Sequence, residues 1–157
     1  MVVKPGDWIL RTNIVSTILF VVSSTAAAVV FDGWAKTQGV VVALALFAGG
    51  VVAFLWGYWN AVQRSRSDEM AVAELYFLMG PAIPKRVKTI MLSCLAVQTV
   101  VSVATAIARP STPAADGGST AGSTLAFGVL VPVLGLGLNG LWAAAHGGFQ
   151  PRRTSIG

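Results

Sequence analysis

Four long stretches of this chain contain no Asp, Glu, Lys or Arg, and they limit the fold more than any other feature. The charge-free stretches cover 12–31, 37–63, 89–108 and 117–151. A bilayer has a hydrocarbon core about 30 Å thick, which an α-helix crosses with about 20 apolar residues. Each stretch is long enough to cross, so the sequence predicts a polytopic membrane protein.

Within these stretches we predict membrane spans at 13–31, 40–61, 89–108 and 125–145, in one domain covering 1–157. Backbone polar groups in hydrocarbon must be satisfied within the segment, which favours helices. Hydrophobic residues make up 55% of the chain and charged residues 11%, with a mean hydropathy of +0.73. We therefore expect an all-α membrane protein, an antiparallel bundle of four transmembrane helices. Lys4 and Arg11 before an apolar run also suit a signal peptide, but the long apolar run favours an uncleaved first span.

The basic residues orient the predicted spans. Nine of the eleven Lys and Arg residues flank the spans on one side, and Lys36 and Arg109 fall on the other. Because basic loops stay in the cytoplasm, we expect cytoplasmic termini, a cytoplasmic loop at 62–88 and a location in the plasma (inner) membrane. The Pro-, Gly-, Ser- and Thr-rich loop 109–124 is expected to be extracytoplasmic and flexible. Topology accounts for the net charge of +5, and nucleic-acid-binding motifs are absent, so no nucleic-acid partner is expected.

The loop between spans two and three has a helical pattern of its own. Ser67 is a good helix N-cap, and Asp68 and Glu69 would lie in the first turn, where the helix dipole favours negative charge. An apolar stripe follows, so we predict a short interfacial helix over Asp68–Met79. Anchoring the loop at the membrane surface is its simplest role, and a docking face for a partner is the alternative.

Small residues indicate how the spans pack. Span two carries five at strict four-residue spacing: Ala45, Gly49, Ala53, Gly57 and Ala61. Span four carries a second row that includes Gly140 and Ala144. Small side chains let helices approach closely in lipid. The partner of span two is either another span of this chain or a second subunit.

Span four is also predicted to kink. The ring of Pro132 conflicts with the carbonyl of the residue four positions earlier, which is Gly128. A kinked, glycine-rich helix can line a cavity, but it can equally serve close packing.

Chemistry-bearing residues inside the spans are few. Gln98 and Asn139 are intramembrane polar candidates, either joining helices or lining a small cavity. No charge lies in mid-span, which disfavours proton-coupled transport. Cys94 and His146 are the only Cys and His and are too few for a zinc site. We therefore expect no catalytic, cofactor-binding or metal-ligating residues, and no enzyme.

A basic cluster borders the predicted cytoplasmic surface. Its members are Arg64, Arg66, Lys85, Arg86 and Lys88. Each Lys or Arg near anionic lipid contributes about 1 kcal/mol. We expect these side chains to contact anionic lipid headgroups.

Two segments carry a family resemblance. They read AVQRSRSDEMAVAELYFLMG after span two and FGVLVPVLGLGLNGLWAAAHGGFQPRR at the end. Both resemble an uncharacterised family of small four-span actinobacterial integral membrane proteins. The resemblance implies four spans and an inner-membrane location, and it transfers no activity or site.

The expected function follows from packing faces and from missing chemistry. We expect a non-enzymatic accessory or scaffolding subunit of a membrane protein assembly, with a membrane-protein partner or a homo-oligomer. The alternative is a small permease or channel-like homo-oligomer that uses the kinked fourth helix.

Overall fold

Helices form most of the part of the chain that the structure describes. The computed structural model describes residues 6–30, 32–79, 81, 83–113 and 118–152. The helices are α1 (Asp7–Val30), α2 (Gly33–Arg64), α3 (Val72–Tyr76), α4 (Lys85–Ala108), a 3-10 helix (Thr124–Leu130) and α5 (Pro132–His146). Two three-residue strands, β1 (Ser111–Pro113) and β2 (Ser119–Ala121), pair antiparallel within the loop that was predicted to be flexible, and residues 114–117 of that loop lie outside the described residues.

Four helical segments are long and apolar enough to cross a membrane: α1, α2, α4 and the continuous run 124–146. They extend past the predicted spans. With 32 residues, α2 is about 48 Å long at 1.5 Å per residue, which exceeds the hydrocarbon thickness. Its start is fixed by Asp32, whose carboxylate accepts a hydrogen bond from the Ala35 N–H at 2.9 Å. The predicted end of span one at Phe31 lies outside the described residues.

Span four changes helix type where the kink was predicted. The 3-10 helix runs to Leu130, and Pro132 is the first residue of α5. At that position the missing proline N–H costs nothing, because the first helical N–H groups have no partner within the helix. The Val131 N–H bonds to the Gly128 carbonyl at 3.0 Å across the junction. Gly128 and Pro132 therefore bracket a helix junction.

The tightest contact in the molecule joins α2 to α5. A Cβ placed on Gly57 would lie 2.7 Å from the Leu141 nitrogen, and one on Gly50 would lie 2.6 Å from the Leu134 nitrogen. On the facing helix, a Cβ on Gly137 would collide with the Gly50 carbonyl oxygen. Only glycine fits these three positions because backbone meets backbone.

Side chains also tie helix ends together. At the end of α4, Arg109 Nε donates to the Ala28 carbonyl near the end of α1 at 3.0 Å.

At the opposite end of α4, a cleft is shared by the starts of α1 and α4 and the end of α5.

The loop between α2 and α4 differs from its prediction. The helix covers only Val72–Tyr76, and the preceding residues pair with the C-terminal segment instead. Glu69 N donates to the Gln150 carbonyl at 2.8 Å, and Arg152 N donates to the Ser67 carbonyl at 2.7 Å. Because these backbone groups are used by the C-terminal segment, the predicted start of the helix at Asp68 is wrong. The predicted end at Met79 is also wrong, because the helix ends at Tyr76.

Candidate functional site

Opposite sides of α2 have different surroundings. Four small residues lie buried toward α5: Gly50, Ala53, Gly57 and Ala61. Ala45 and Gly49, predicted to share this row, are exposed, and a Cβ placed on Gly49 would meet nothing within 4 Å. The reason is geometric, because a four-residue repeat drifts by about 40° per step around a helix of 3.6 residues per turn. Within the chain the packing row therefore uses Gly50 in place of Gly49, and Ala45 takes no part in it.

The exposed side forms a continuous surface, which we call the open face. It consists of Val41, Ala45, Ala48, Gly49, Val52 and Trp56. Only 11% of the apolar window of α2 is buried inside the molecule, against 50% for the run 124–146. The open face has a shallow floor of small residues beside Val52 and Trp56, which are both 65% exposed. It is the candidate association surface.

On span four, Gly140 and Ala144 are both buried. A Cβ on Gly140 would collide with the Tyr76 ring, and Gly140 also lies against Gly57 of α2. Because Gly140 and Ala144 are small, both α2 and α3 can pack directly on α5.

The two intramembrane amides belong to separate contacts. Gln98 Nε2 donates to Thr17 Oγ1 at 2.7 Å and to Asn13 Oδ1 at 3.2 Å, which joins α4 to α1. Asn139 Nδ2 donates to the Tyr76 carbonyl at 3.0 Å, which joins α5 to α3. All three amide side chains are fully buried. Sequence reasoning missed Asn13 and Thr17, although their spacing of four residues places both on one helix face.

Tyr76 holds α3 against the spans. Its ring stacks on Phe54 with centroids 4.4 Å apart and an interplanar angle of 13°. Its hydroxyl is buried and has no hydrogen-bond partner among the described residues. Burial raises the pKa of the Tyr76 hydroxyl above its ordinary 10.0, and the neighbouring Tyr58 adds to the rise. Leu78, two residues on, is fully buried in a left-handed conformation with φ of 53°.

Arg64 binds the end of α5. Its Nη1 donates to the Ala144 carbonyl at 2.7 Å and its Nη2 to the Gly147 carbonyl at 3.1 Å. Nη2 also forms an ion pair with Asp68 at 2.9 Å, and the guanidinium lies 5.7 Å from the centre of the Phe149 ring. A positive charge at a helix C-terminus is favourable because the terminal carbonyls carry partial negative charge. Arg64 therefore donates hydrogen bonds within the chain, and its predicted contact with a lipid headgroup stays a prediction.

The other predicted headgroup residues remain available at the surface. Arg66, Lys85 and Arg86 are exposed, and Lys88 is half-buried. Lys85, Arg86 and Lys88 all lie in the first turn of α4.

The remaining reactive side chains do not form a metal site. Cys94 is buried in α4, and His146 is the last residue of α5. In the described part of the chain, no group of three or more His, Cys, Asp or Glu residues is placed to hold a metal ion.

The fold defines a class: four helices that can cross a membrane, with a short fifth helix and a small β-ribbon outside them. Comparisons with protein-family models, curated proteins and solved structures found no match.

Proposed function

We propose that this protein is a non-enzymatic accessory or scaffolding subunit of a membrane protein assembly, and that the open face of α2 docks a helix of its partner. The observation that carries the proposal is the position of Ala45 and Gly49. They are small residues on the exposed side of the longest helix, and a Cβ placed on Gly49 would meet no described atom within 4 Å.

Close packing is the main source of helix association in lipid, because lipid tails are as apolar as helix side chains. Large exposed residues such as Leu55 need no further explanation on a helix surrounded by lipid. The shallow surface of small residues next to Trp56 is not explained by contact with lipid alone, because small side chains let the backbone of a second helix approach closely. Such a surface suits a helix of another membrane protein.

The proposal includes a topology. We propose an antiparallel bundle of four spans in the plasma membrane, with both termini and the loop 62–88 in the cytoplasm. The pairing of Ser67 and Glu69 with the C-terminal segment supports a shared side for loop and C-terminus. The exposed side chains of Val72 and Phe77 support an interfacial position for α3.

A small permease or channel-like homo-oligomer is the alternative function. It would use Gln98 and Asn139 as polar lining, and both amides would have to exchange their present bonds for water. Their complete burial favours a structural role instead.

The test is affinity purification from native membranes in mild detergent, followed by mass spectrometry. Three forms are compared: wild type, Gly49→Leu on the open face, and Ala104→Leu, which is a small-to-large change at another exposed position, on α4. Wild type and Ala104→Leu should recover a larger integral membrane protein in near-equal amount, and Gly49→Leu should lose it.

Two results would contradict the proposal. One is recovery of this chain alone, at a single homo-oligomeric size, which would favour the permease alternative. The other is equal recovery of the partner by wild type and Gly49→Leu, which would move the interface away from the open face.

A further inference from the structure

A cleft of about 540 Å³ opens where α1 and α4 begin and α5 ends. Its lining includes Asp7, Leu10, Arg86, Val87, Trp142 and His146. The volume lies within the range of roughly 300–1,000 Å³ that is usual for small-molecule sites. This is a mixed site, because charged groups and apolar side chains face the same space.

Among the described residues, the two opposite charges that line this cleft form no ion pair. Asp7 supplies a carboxylate and Arg86 a guanidinium, and within the described residues neither forms an ion pair or a hydrogen bond. Trp142 is 5% exposed, and its indole N–H also makes no hydrogen bond to any described residue. A ligand with one anionic and one cationic group would satisfy both charges.

Backbone charges favour the same arrangement. The cleft borders the start of α4, where Pro84 provides no side-chain cap, so the first N–H groups and Arg86 favour an anion. It also borders the end of α5 at His146, where the last carbonyl groups favour a cation, and it borders the first turn of α1, which carries Asp7.

The apolar part of the lining indicates that the ligand has an apolar group in addition to its two charges. Leu10 is 8% exposed and Val87 is half-buried, and both line the cleft and pack in the apolar core between the helices. Trp8 lies beside Asp7 with 57% of its surface exposed, as interfacial tryptophans do. A soluble zwitterion would leave this apolar lining unused, whereas a lipid would use it.

We propose that this cleft binds the headgroup of a zwitterionic phospholipid with a primary amine, of the phosphatidylethanolamine class. The phosphate lies toward Arg86 and the start of α4, and the ammonium lies toward Asp7. The primary amine is specified because an ammonium with N–H groups can donate charge-assisted hydrogen bonds to a carboxylate, which a choline headgroup cannot. The site is independent of the open face of α2.

Native mass spectrometry of the purified full chain measures the dissociation constant of each lipid. The probes are phosphatidylethanolamine, phosphatidylcholine, phosphatidylglycerol and soluble glycerophosphoethanolamine. Wild type should bind phosphatidylethanolamine about ten-fold tighter than the other two lipids, since one charge-assisted hydrogen bond contributes about that factor. Glycerophosphoethanolamine should compete weakly.

Two substitutions test which charged residue contacts which part of the lipid headgroup. Asp7→Asn should abolish the preference for phosphatidylethanolamine over phosphatidylcholine, while phosphatidylglycerol binding is kept or improved, which also shows that the variant is folded. Arg86→Gln should weaken phosphatidylethanolamine about ten-fold. Lys85→Gln is the matched control, because Lys85 is exposed one residue away and does not line the cleft.

Three results would overturn the assignment. They are tighter binding of phosphatidylglycerol than of phosphatidylethanolamine by wild type, equal effects of Arg86→Gln and Lys85→Gln, and an unchanged lipid preference in Asp7→Asn. Strong competition by glycerophosphoethanolamine would assign the cleft to a soluble ligand and would also contradict the proposal.

Discussion

Arg64 illustrates how a single residue at the end of one helix can hold the end of another. Its guanidinium joins the last residue of α2 to the carbonyls of Ala144 and Gly147 and to the Asp68 carboxylate. Removing it leaves these acceptors at a helix C-terminus without their charged donor.

We expect Arg64→Gln to destabilise the protein by about 1.5–3 kcal/mol, as is usual for hydrogen bonds to charged groups. Arg66→Gln is the matched control, because Arg66 is exposed two residues away, and it should leave stability unchanged. Arg64→Lys should recover only part of the loss, since an ammonium lacks the planar fork of donors. Thermal unfolding in detergent measures all three variants, and equal midpoints for Arg64→Gln and Arg66→Gln would refute this role.

Tyr76 gives a pH-dependent prediction. Burial raises the pKa of its hydroxyl above 10.0, so the folded protein holds this proton more tightly than the unfolded chain. The resulting stability is fully present below pH 10.0 and is lost as the pH rises from there through the folded-state pKa.

Tyr76→Phe should be near-neutral at pH 7, because no described residue bonds to the hydroxyl, and it should remove the alkaline loss. The exposed Tyr58 serves as control, and Tyr58→Phe should keep most of that loss. Unfolding midpoints measured across alkaline pH check this, and a parallel decline in wild type and Tyr76→Phe would count against it.

At the scale of elements, the α2–α5 contact depends on glycine at particular positions. Gly57 faces the backbone of α5 at Leu141, whereas Gly49 faces open space on the same helix. The two glycines therefore make a matched pair for testing the contact.

We expect Gly57→Ala to cost about 1–3 kcal/mol, because the added methyl meets backbone that cannot move aside cheaply. Gly49→Ala should instead stabilise by up to about 1 kcal/mol through helix propensity. Chemical unfolding in mixed micelles compares them, and a stabilising Gly57→Ala would show that the α2–α5 approach is looser than described.

The same elements show what sequence could and could not predict. The charge-free runs predicted four membrane-length helices because crossing a bilayer requires only about 20 consecutive apolar residues, which can be read directly from a sequence. In the predicted row of small residues, Ala53, Gly57 and Ala61 are buried whereas Ala45 and Gly49 are exposed, because the side of α2 that α5 covers depends on the whole bundle. The start of α3 was misplaced for a similar reason, since Ser67 and Glu69 pair with residues more than 80 positions later.

Polar contacts were the least predictable part of the site. Gln98 and Asn139 were identified from sequence, but their partners are on α1 and α3 and are set by tertiary packing. Arg64 looked like any basic residue at a membrane surface. Only the position of the α5 C-terminus distinguishes it from Arg66.

At the scale of the whole molecule, α2 and α5 form the largest helix–helix contact, but they differ in how much of their apolar surface that contact covers. Half of the apolar window of the run 124–146 is buried inside the molecule, against 11% of the apolar window of α2. A helix that packs on its own chain with one side and leaves the other side uncovered is suited to bind another protein. The central claim is therefore that the open face of α2 contacts a different membrane protein in the native membrane.

Site-specific photocrosslinking in intact membranes tests this claim most directly. A photoreactive residue is placed at Ala45 on the open face and, in a separate variant, at the exposed Ala104 on α4. We predict a single adduct with a larger integral membrane protein from position 45 and only lipid adducts from position 104. Lipid adducts alone from both positions, or an adduct at position 45 with a second copy of this chain, would contradict the account.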